Sequence, residues 1–277
     1  MNGMIFDIEH GSFVDGPGIR TTVFFKGCNL KCAWCHNPES QSAKPQLLFY
    51  RDKCTGCGKC AKICPNALQS CSLCGECEIY CPAGARKLSG RISDAEEVLE
   101  EIFADRDFYG ADGGVTFSGG ECMLQHDFLL YLLMKCRERK IHTAVDTAGH
   151  IPFELFEKIM PYTDIFLYDL KVMDSEIHKK YVGVDNQRIL YNLASLLSAK
   201  KRVWVRIPII PDVNDSVENI KKVAEFYAKY GHPEKTELLP YHSMGENKYR
   251  ALGLSPAVFA TPEKEKIDKL QSLLNVF

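Results

Sequence analysis

The hydrophobic positions of this chain fall into short β-branched and aromatic runs that alternate with longer stretches of helical period. Arg20-Thr21-Thr22-Val23-Phe24-Phe25-Lys26, bounded by Gly18 and Gly27, predicts a first strand. Val115-Thr116-Phe117 predicts a second, and residues 143–149, 165–171 and 202–208 three more. A last run through Leu238-Leu239 closes the series. Between them the spacing predicts a helix over 93–103, with Ser93 as N-cap and Glu96 three residues on. An amphipathic helix follows over 127–140, then one capped near Ser216 that runs to 230, and a final one over 262–274. About six strands, each leading towards a helix, imply parallel strands with right-handed crossovers. Residues 49–88 break the alternation and predict a separate insert.

Composition changes the picture only in part. The chain has 277 residues, enough for one large α/β domain and a small second unit. The net charge of -2 gives no pull towards nucleic acid or an anionic membrane surface. No apolar run is long enough to span a bilayer. Met1-Asn2-Gly3-Met4-Ile5-Phe6-Asp7 lacks a basic segment followed by an apolar one, so no signal peptide and a cytoplasmic monomer are expected. The 13 cysteines are bunched at metal-ligand spacings, which favours metal over a disulfide scaffold.

The candidate chemistry starts at the end of the first predicted strand. Cys28, Cys32 and Cys35 stand at C-x3-C-x2-C. Three thiolates on one loop suit an iron–sulfur cluster with one iron left open. A zinc loop completed by His36 is the alternative on spacing alone. The insert holds Cys54-x2-Cys57-x2-Cys60-x3-Cys64-Pro65, then the same pattern as Cys71-x2-Cys74-x2-Cys77-x3-Cys81-Pro82. This is the bacterial ferredoxin run, repeated, in which the fourth cysteine ligates the other cluster. That exchange would group Cys54, Cys57, Cys60 with Cys81, and Cys71, Cys74, Cys77 with Cys64; the short link from Pro65 to Ser70 leaves the unexchanged grouping open. Cys136 reads as a core thiol, and Cys122 is open between structural and functional roles. Asp169 and Lys171 share one face of their strand, where buried charges need a partner or a ligand. A salt bridge between them satisfies the first need.

The three-cysteine loop, with Trp34 before its last Cys, resembles the radical S-adenosylmethionine (SAM) superfamily. Phe13-Val14-Asp15-Gly16-Pro17-Gly18-Ile19-Arg20 and Cys35-His36-Asn37-Pro38 narrow the resemblance to the glycyl radical enzyme activating enzymes. The resemblance implies an open (β/α)6 partial TIM barrel, residues 1–48 and 89–277, with a ferredoxin-like insert at 49–88. It implies three 4Fe-4S clusters, one binding SAM and two in the insert. Gly119, Gly120 and Glu121 match the motif that holds the SAM amino group; Asp146, Asp169, Lys171, Arg206 and His242 match other SAM-site positions. His242 lies in a segment resembling the family's Tyr-His-x2-Gly-x2-Lys-aromatic motif. A monovalent cation between Asp146 and Asp169 is part of that expectation. Asp15 and His36 are the candidates for contact with the partner, a glycyl radical enzyme, and the expected reductant is a flavodoxin or ferredoxin.

The resemblance also implies the reaction: reductive cleavage of SAM, then hydrogen abstraction from a partner glycine. The insert departs from the shortest family members, such as the pyruvate formate-lyase activase. It is shared with activases of dehydratases, decarboxylases, C–N lyases and benzylsuccinate-type synthases. Rival readings are a radical SAM enzyme acting on a small molecule, an electron-transfer protein, and a zinc module. The first does not need the 14–20 motif; the second does not need Gly119-Gly120-Glu121 or Asp169-x-Lys171.

Overall fold

The computed structural model describes residues 1–276. Ten strands are present among them: β1 (Asn2–Ser12), β2 (Arg20–Phe25), β3 (Gln46–Phe49), β4 (Arg86–Ser89), β5 (Arg91–Asp94), β6 (Gly114–Gly119), β7 (His142–Thr147), β8 (Ile165–Asp169), β9 (Val203–Ile209) and β10 (Lys235–Pro240). The helices are α1 (Lys59–Ile63), α2 (Glu76–Ile79), α3 (Ala95–Ala104), α4 (His126–Glu138), α5 (Phe153–Ile159), α6 (Ser175–Val182), α7 (Gln187–Ser198), α8 (Val217–Tyr230), α9 (Glu246–Ala251) and α10 (Lys264–Val276). The main sheet runs β10-β9-β8-β7-β6-β2-β1-β5. From β2 to β10 every pairing is parallel, so the six strands expected from the sequence form one continuous parallel set.

Each of these strands presents two chemically different faces. Val23 and Phe25, Val115 and Phe117, Phe166 and Tyr168, Val203, Val205 and Ile207 join one large apolar cluster with α3, α4, α5, α7 and α8. The alternate positions carry Ser118, Asp146, Asp169 and Arg206, above a small inner apolar cluster of Ala144, Ile165, Leu167 and Trp204. A strand's period of two makes this separation automatic once the outer face is packed. The fold therefore places a polar lining inside the curve of the sheet, and the C-terminal ends of parallel strands carry the loops that build a site there.

Three differences from the expected elements have local causes. No signal in the sequence marks β1 and β5, which add antiparallel strands beyond β2; β1 carries Asp7, Glu9 and two glycines, and its pairing with β2 and β5 outweighs that composition. Ser93 pairs with Gly3 inside β5, so the N-cap of α3 moves one residue on. Asp94 accepts from Glu96 N, and Glu97 rather than Glu96 completes the capping box. The insert is held by a ribbon of its own, in which β3 and β4 pair antiparallel from Gln46↔Ser89 to Phe49↔Arg86 and run across both expected limits at 49 and 88.

Arg20 explains why the loop before β2 has a fixed shape. It is fully buried. Its guanidinium donates to Thr116 Oγ1 at 2.6 Å, Val115 O at 2.5 Å and Pro17 O at 2.9 Å. Thr116 Oγ1 in turn donates to Asp15 O at 2.6 Å. Burial lowers the Arg20 pKa to about 10, so the side chain is still charged at neutral pH. Removing it strands buried acceptors, each costing about 1–3 kcal/mol. Arg20→Met is expected to lower unfolding free energy by roughly 3 kcal/mol or more, measured by denaturant titration, and to increase protease cleavage within residues 13–18.

Candidate functional site

The Cys28–Cys35 loop leaves the C-terminal end of β2 and is fixed by backbone bonds on both sides. Gly27 N donates to Ser40 O at 2.7 Å. Lys31 N and Ala33 N donate to Val182 O and Tyr181 O, both at 2.8 Å. Trp34 is buried and packs against Tyr181 and Phe259, with ring centroids 6.4 and 6.2 Å away. Phe259 also meets Tyr241 at 5.6 Å, so the segment after α9 straps this aromatic group from outside. Nothing in the sequence singled out Phe259, because it lies in a stretch without periodicity.

Cys28, Cys32 and Cys35 line a cavity of about 510 Å³. The same cavity is lined by Trp34, Gly119, Gly120, Asp146, Asp169, Lys171, Arg206, His242, His36 and Asp15. The structure thus brings together all but one of the candidate residues of the barrel. The exception is Glu121, which stands behind the cavity wall. Its carboxylate accepts from Thr147 Oγ1 at 2.8 and 2.9 Å, from Ala148 N at 3.1 Å and from Met123 N at 3.3 Å. Burial raises its pKa to about 7, against the pull of these donors.

Gly119 and Gly120 were expected to let a ligand approach the backbone; the close neighbour is the chain itself. A Cβ on Gly120 would lie 2.2 Å from Gly27 O, and one on Gly119 2.3 Å from the backbone of Phe25. Gly120 N and Glu121 N donate to Phe25 O and Gly27 O, both at 2.8 Å. The glycines let the end of β6 lie flat against the start of the cysteine loop.

The inner charges form one network. The β8–β9 register sets Asp169 opposite Arg206. Arg206 Nε donates to Asp169 Oδ1 at 3.2 Å and Nη2 donates to Asp146 Oδ1. Lys171 Nζ donates to Asp169 Oδ2 at 3.0 Å, and Ser118 Oγ to Asp146 Oδ2 at 2.6 Å. Burial alone would raise the Asp169 carboxyl, but Lys171 and Arg206 outweigh it and hold it below its ordinary value. Burial alone would also discharge Lys171 and Arg206; the carboxylates instead push both above their ordinary values. Arg206 thus bridges Asp146 and Asp169.

His36 stacks on His242, with centroids 4.0 Å apart and planes 25° off parallel. Its Nε2 is buried without a hydrogen-bond partner. Burial and His242 lower its pKa to about 4. Lys248, on α9, donates to Asn37 Oδ1 at 2.6 Å and Glu39 Oε1 at 2.7 Å, tying the far side of the barrel to the segment after Cys35. Asp15 Oδ2 accepts from Ser12 Oγ at 2.7 Å and Thr22 Oγ1 at 2.8 Å. Cys122 is structural: it is fully buried, with Sγ 3.4 Å from Phe117 O. Cys136 is buried in the outer core.

The insert has two smaller cavities, and they divide its eight cysteines. One, of about 220 Å³, is lined by Cys64, Cys71, Cys74 and Cys77 together with Leu47, Leu68, Leu73 and Leu88. The other is lined by Cys54, Cys57, Cys60 and Cys81, with Phe49, Lys59 and Arg86.

Three thiols on one cavity wall, facing an inner set of carboxylates and cations, fit a cluster with one open iron and a zwitterionic ligand. Comparison with known proteins agrees. Residues 22–226 match the family model of the Radical SAM superfamily, which makes this a radical SAM enzyme with a 4Fe-4S cluster and SAM. The (2S)-3-sulfopropanediol dehydratase activating enzyme of Klebsiella oxytoca is 41% identical over 91% of this chain and 86% of its own. The choline trimethylamine-lyase activating enzyme of Oleidesulfovibrio alaskensis is 38% identical, covering 96% and 92%. The trans-4-hydroxy-L-proline dehydratase activating enzyme of Clostridioides difficile is 40% identical, covering 99% and 96%. A solved domain of a pyruvate-formate lyase-activating enzyme from Bacteroides vulgatus superposes with a TM-score of 0.52 at 36% identity, over 59% of this chain and 94% of that one. The chain belongs to the glycyl radical enzyme activating enzymes. Its reaction is reductive cleavage of SAM and abstraction of a hydrogen from a glycine of a partner glycyl radical enzyme. Among the described residues no helix is long and apolar enough to cross a membrane.

The position of Glu121 gives a pH-dependent test. Its pKa is higher folded, about 7, than unfolded, so the folded chain holds the proton more tightly. That contribution is fully present below the unfolded value, near pH 4.5, and is lost as pH rises towards 7. Glu121→Gln has no such loss. The stability of the variant relative to wild type is expected to improve between pH 5 and 8 by up to about 3 kcal/mol, read from denaturant midpoints. A difference independent of pH would show that the carboxylate is ionised throughout.

Proposed function

We propose that Cys28, Cys32 and Cys35 hold the SAM-binding cluster, and that SAM lies across the cavity against Trp34, Asp146, Asp169, Lys171, Arg206, His242 and the backbone of Gly119 and Gly120. Glu121 braces that backbone from behind. The observation that carries this reading is the single cavity onto which the three thiols and the buried charge network open. When bound, the cluster supplies the electron that splits the SAM sulfonium and yields the 5′-deoxyadenosyl radical. The chain's own residues do the rest. Lys171 and Arg206 suit the SAM carboxylate and Asp169 its ammonium, with Arg206 held in one orientation by two carboxylates. Trp34, Tyr241 and Phe259 keep water from the wall beside the cysteines.

The partner's glycine segment would enter at Asp15 and His36. Both bonds to Asp15 from its own loop fall on Oδ2, so Oδ1 is free to accept from a partner backbone N–H. His36 Nε2, buried and unpartnered, is a second point of contact. Residues 49–88 would form a ferredoxin-like unit with two further 4Fe-4S clusters, making three. The exchanged ligand sets are supported by the way the two insert cavities divide the cysteines. Four thiols close each of these clusters, so their role is to relay electrons from a flavodoxin or ferredoxin. The relatives named for dehydratases and a C–N lyase favour a lyase or dehydratase as the partner.

The deciding experiment mixes the reduced protein and SAM with candidate glycyl radical enzymes and looks for a glycyl radical by electron paramagnetic resonance. Signal with one partner supports the reading; no signal with any partner, despite SAM cleavage, sinks it. Cys32→Ala should abolish 5′-deoxyadenosine formation while keeping about two thirds of the iron, since the insert ligands are separate. Normal 5′-deoxyadenosine formation by that variant would place the SAM-binding cluster elsewhere. Asp15→Ala should reduce partner activation roughly tenfold or more and leave uncoupled SAM cleavage within about twofold. Equal losses in both assays would move Asp15 to SAM binding or folding.

A further inference from the structure

The two cysteine cavities of the insert differ in the charge around them. The cavity of Cys64, Cys71, Cys74 and Cys77 is walled by four leucines, its helix, α2, carries Glu76 and Glu78, and Arg86 lies between the two cavities and lines both. The cavity of Cys54, Cys57, Cys60 and Cys81 is surrounded by cations. Arg51, Lys53, Lys59 and Lys62 occur within residues 51–62 against one acid, Asp52, and all four are exposed. None of the four forms an ion pair with a carboxylate among the described residues. Aromatic rings hold two of them in place: Arg51 lies 5.7 Å over Phe49, and Lys53 Nζ 4.8 Å over Tyr50. Arg86 covers the same Phe49 ring at 4.5 Å. Lys59 lines the cavity itself, and Cys54 and Cys57 are exposed beside it.

Unpaired cations kept around exposed metal-ligating thiols, in a chain of net charge -2, cost self-repulsion without an internal partner. Their field extends outward from the edge that presents Cys54 and Cys57; Cys71 and Cys74 are exposed as well, but at an edge that carries Glu76 and Glu78. We infer that this face is the docking site of an acidic one-electron carrier protein, which gives up its electron to the iron held by Cys54, Cys57, Cys60 and Cys81 and is itself oxidised. The acidic and apolar face around Cys71 and Cys74 then turns away from the carrier. This rests on the relay role proposed for the insert and adds its direction: the Cys54 end receives. Steering of this kind acts mainly on the association rate and weakens with salt.

The test compares wild type, Lys53→Glu with Lys59→Glu, and Lys53→Gln with Lys59→Gln, each matched in iron content and visible spectrum. Association with an oxidised acidic flavodoxin is measured by surface plasmon resonance, with a basic cytochrome as the control. The Glu pair should lower the association rate roughly tenfold or more at low salt, and the Gln pair by an intermediate factor. The difference should vanish at about 0.5 M salt, where the Debye length is only a few ångström. SAM cleavage driven by photoreduced deazaflavin should be the same in all three. Unchanged flavodoxin association in both variants would overturn the docking site, as would loss of binding to the glycyl radical enzyme instead of to flavodoxin. Replacing Cys57 and Cys74 tests the relay separately: if flavodoxin still binds through the lysines but reduces the barrel cluster at the wild-type rate, the relay fails and the docking site stands.

Discussion

Four charges gathered on three adjacent strands, Lys171 buried and Asp146, Asp169 and Arg206 half-buried, stay charged through one another's company. Asp146, Asp169 and Arg206 lie on the inner face of the sheet, with Lys171 just past the end of β8. Remove Arg206 and two carboxylates face each other in a poorly solvated cleft; burial already raises Asp146 with that guanidinium in place. The network also fixes the register. A one-residue slip of β9 would turn Arg206 towards the apolar face packed by the helices and bring Val205 or Ile207 into the cleft. Sheet register and site chemistry are therefore a single constraint. The cleft is pre-charged for a zwitterionic ligand before that ligand arrives, which lowers the reorganisation needed on binding.

Much of this was legible because strands announce themselves through composition and cysteine ligands through spacing. The six parallel strands, the three-cysteine loop and the pairing of Asp169 with Lys171 all follow from short-range pattern. What stayed hidden depends on contacts far apart in sequence. β1 is hidden in the sequence because Asp7, Glu9 and two glycines interrupt Ile5, Phe6 and Ile8, and it forms through pairing with β2 and β5. Gly119 and Gly120 do line the cavity, but the close approach that requires glycine there, to Phe25 and Gly27 from far earlier in the chain, could not be read from their own neighbourhood. Glu121 completes a Gly-Gly-Glu motif that points to a ligand contact; its partners Thr147 and Ala148, at and just past the end of β7, could not be read from that motif. Phe259 could not be found at all from the sequence, since an isolated aromatic in a loop carries no period.

The two families of cysteine sit in opposite physical settings. Those of the barrel loop hang from a scaffold that is complete without them: the loop is bonded to Ser40, Tyr181 and Val182 and packed by Trp34. Those of the insert stand in a unit with almost no core. Only Leu48 and Ala85 among its apolar residues are buried, and its helices α1 and α2 span five and four residues. Helices that short do not persist on backbone bonds alone. On the proposed two-cluster reading, ligand bonds would supply much of the stability of that unit, as they do in small metal-folded domains. The β3–β4 ribbon and Lys26, which donates to Gln46 and Glu39, anchor it to the barrel independently of the cysteines.

That separation has a consequence for access. The β10 edge and the cysteine loop are joined by Lys248, whose bonds to Asn37 and Glu39 cross from α9 to the segment after Cys35. That polar bridge holds the segment just after His36 in place. The loop held by Arg20 also contributes to the cavity wall, and there Phe13 and Val14 are 74% and 80% exposed beside Asp15. Apolar side chains at the rim of a cavity that must exclude water are suited to being covered by a docked segment. On the proposed entry at Asp15 and His36, the segment held rigid by Lys248 and the apolar rim at Phe13 and Val14 would face the same partner segment.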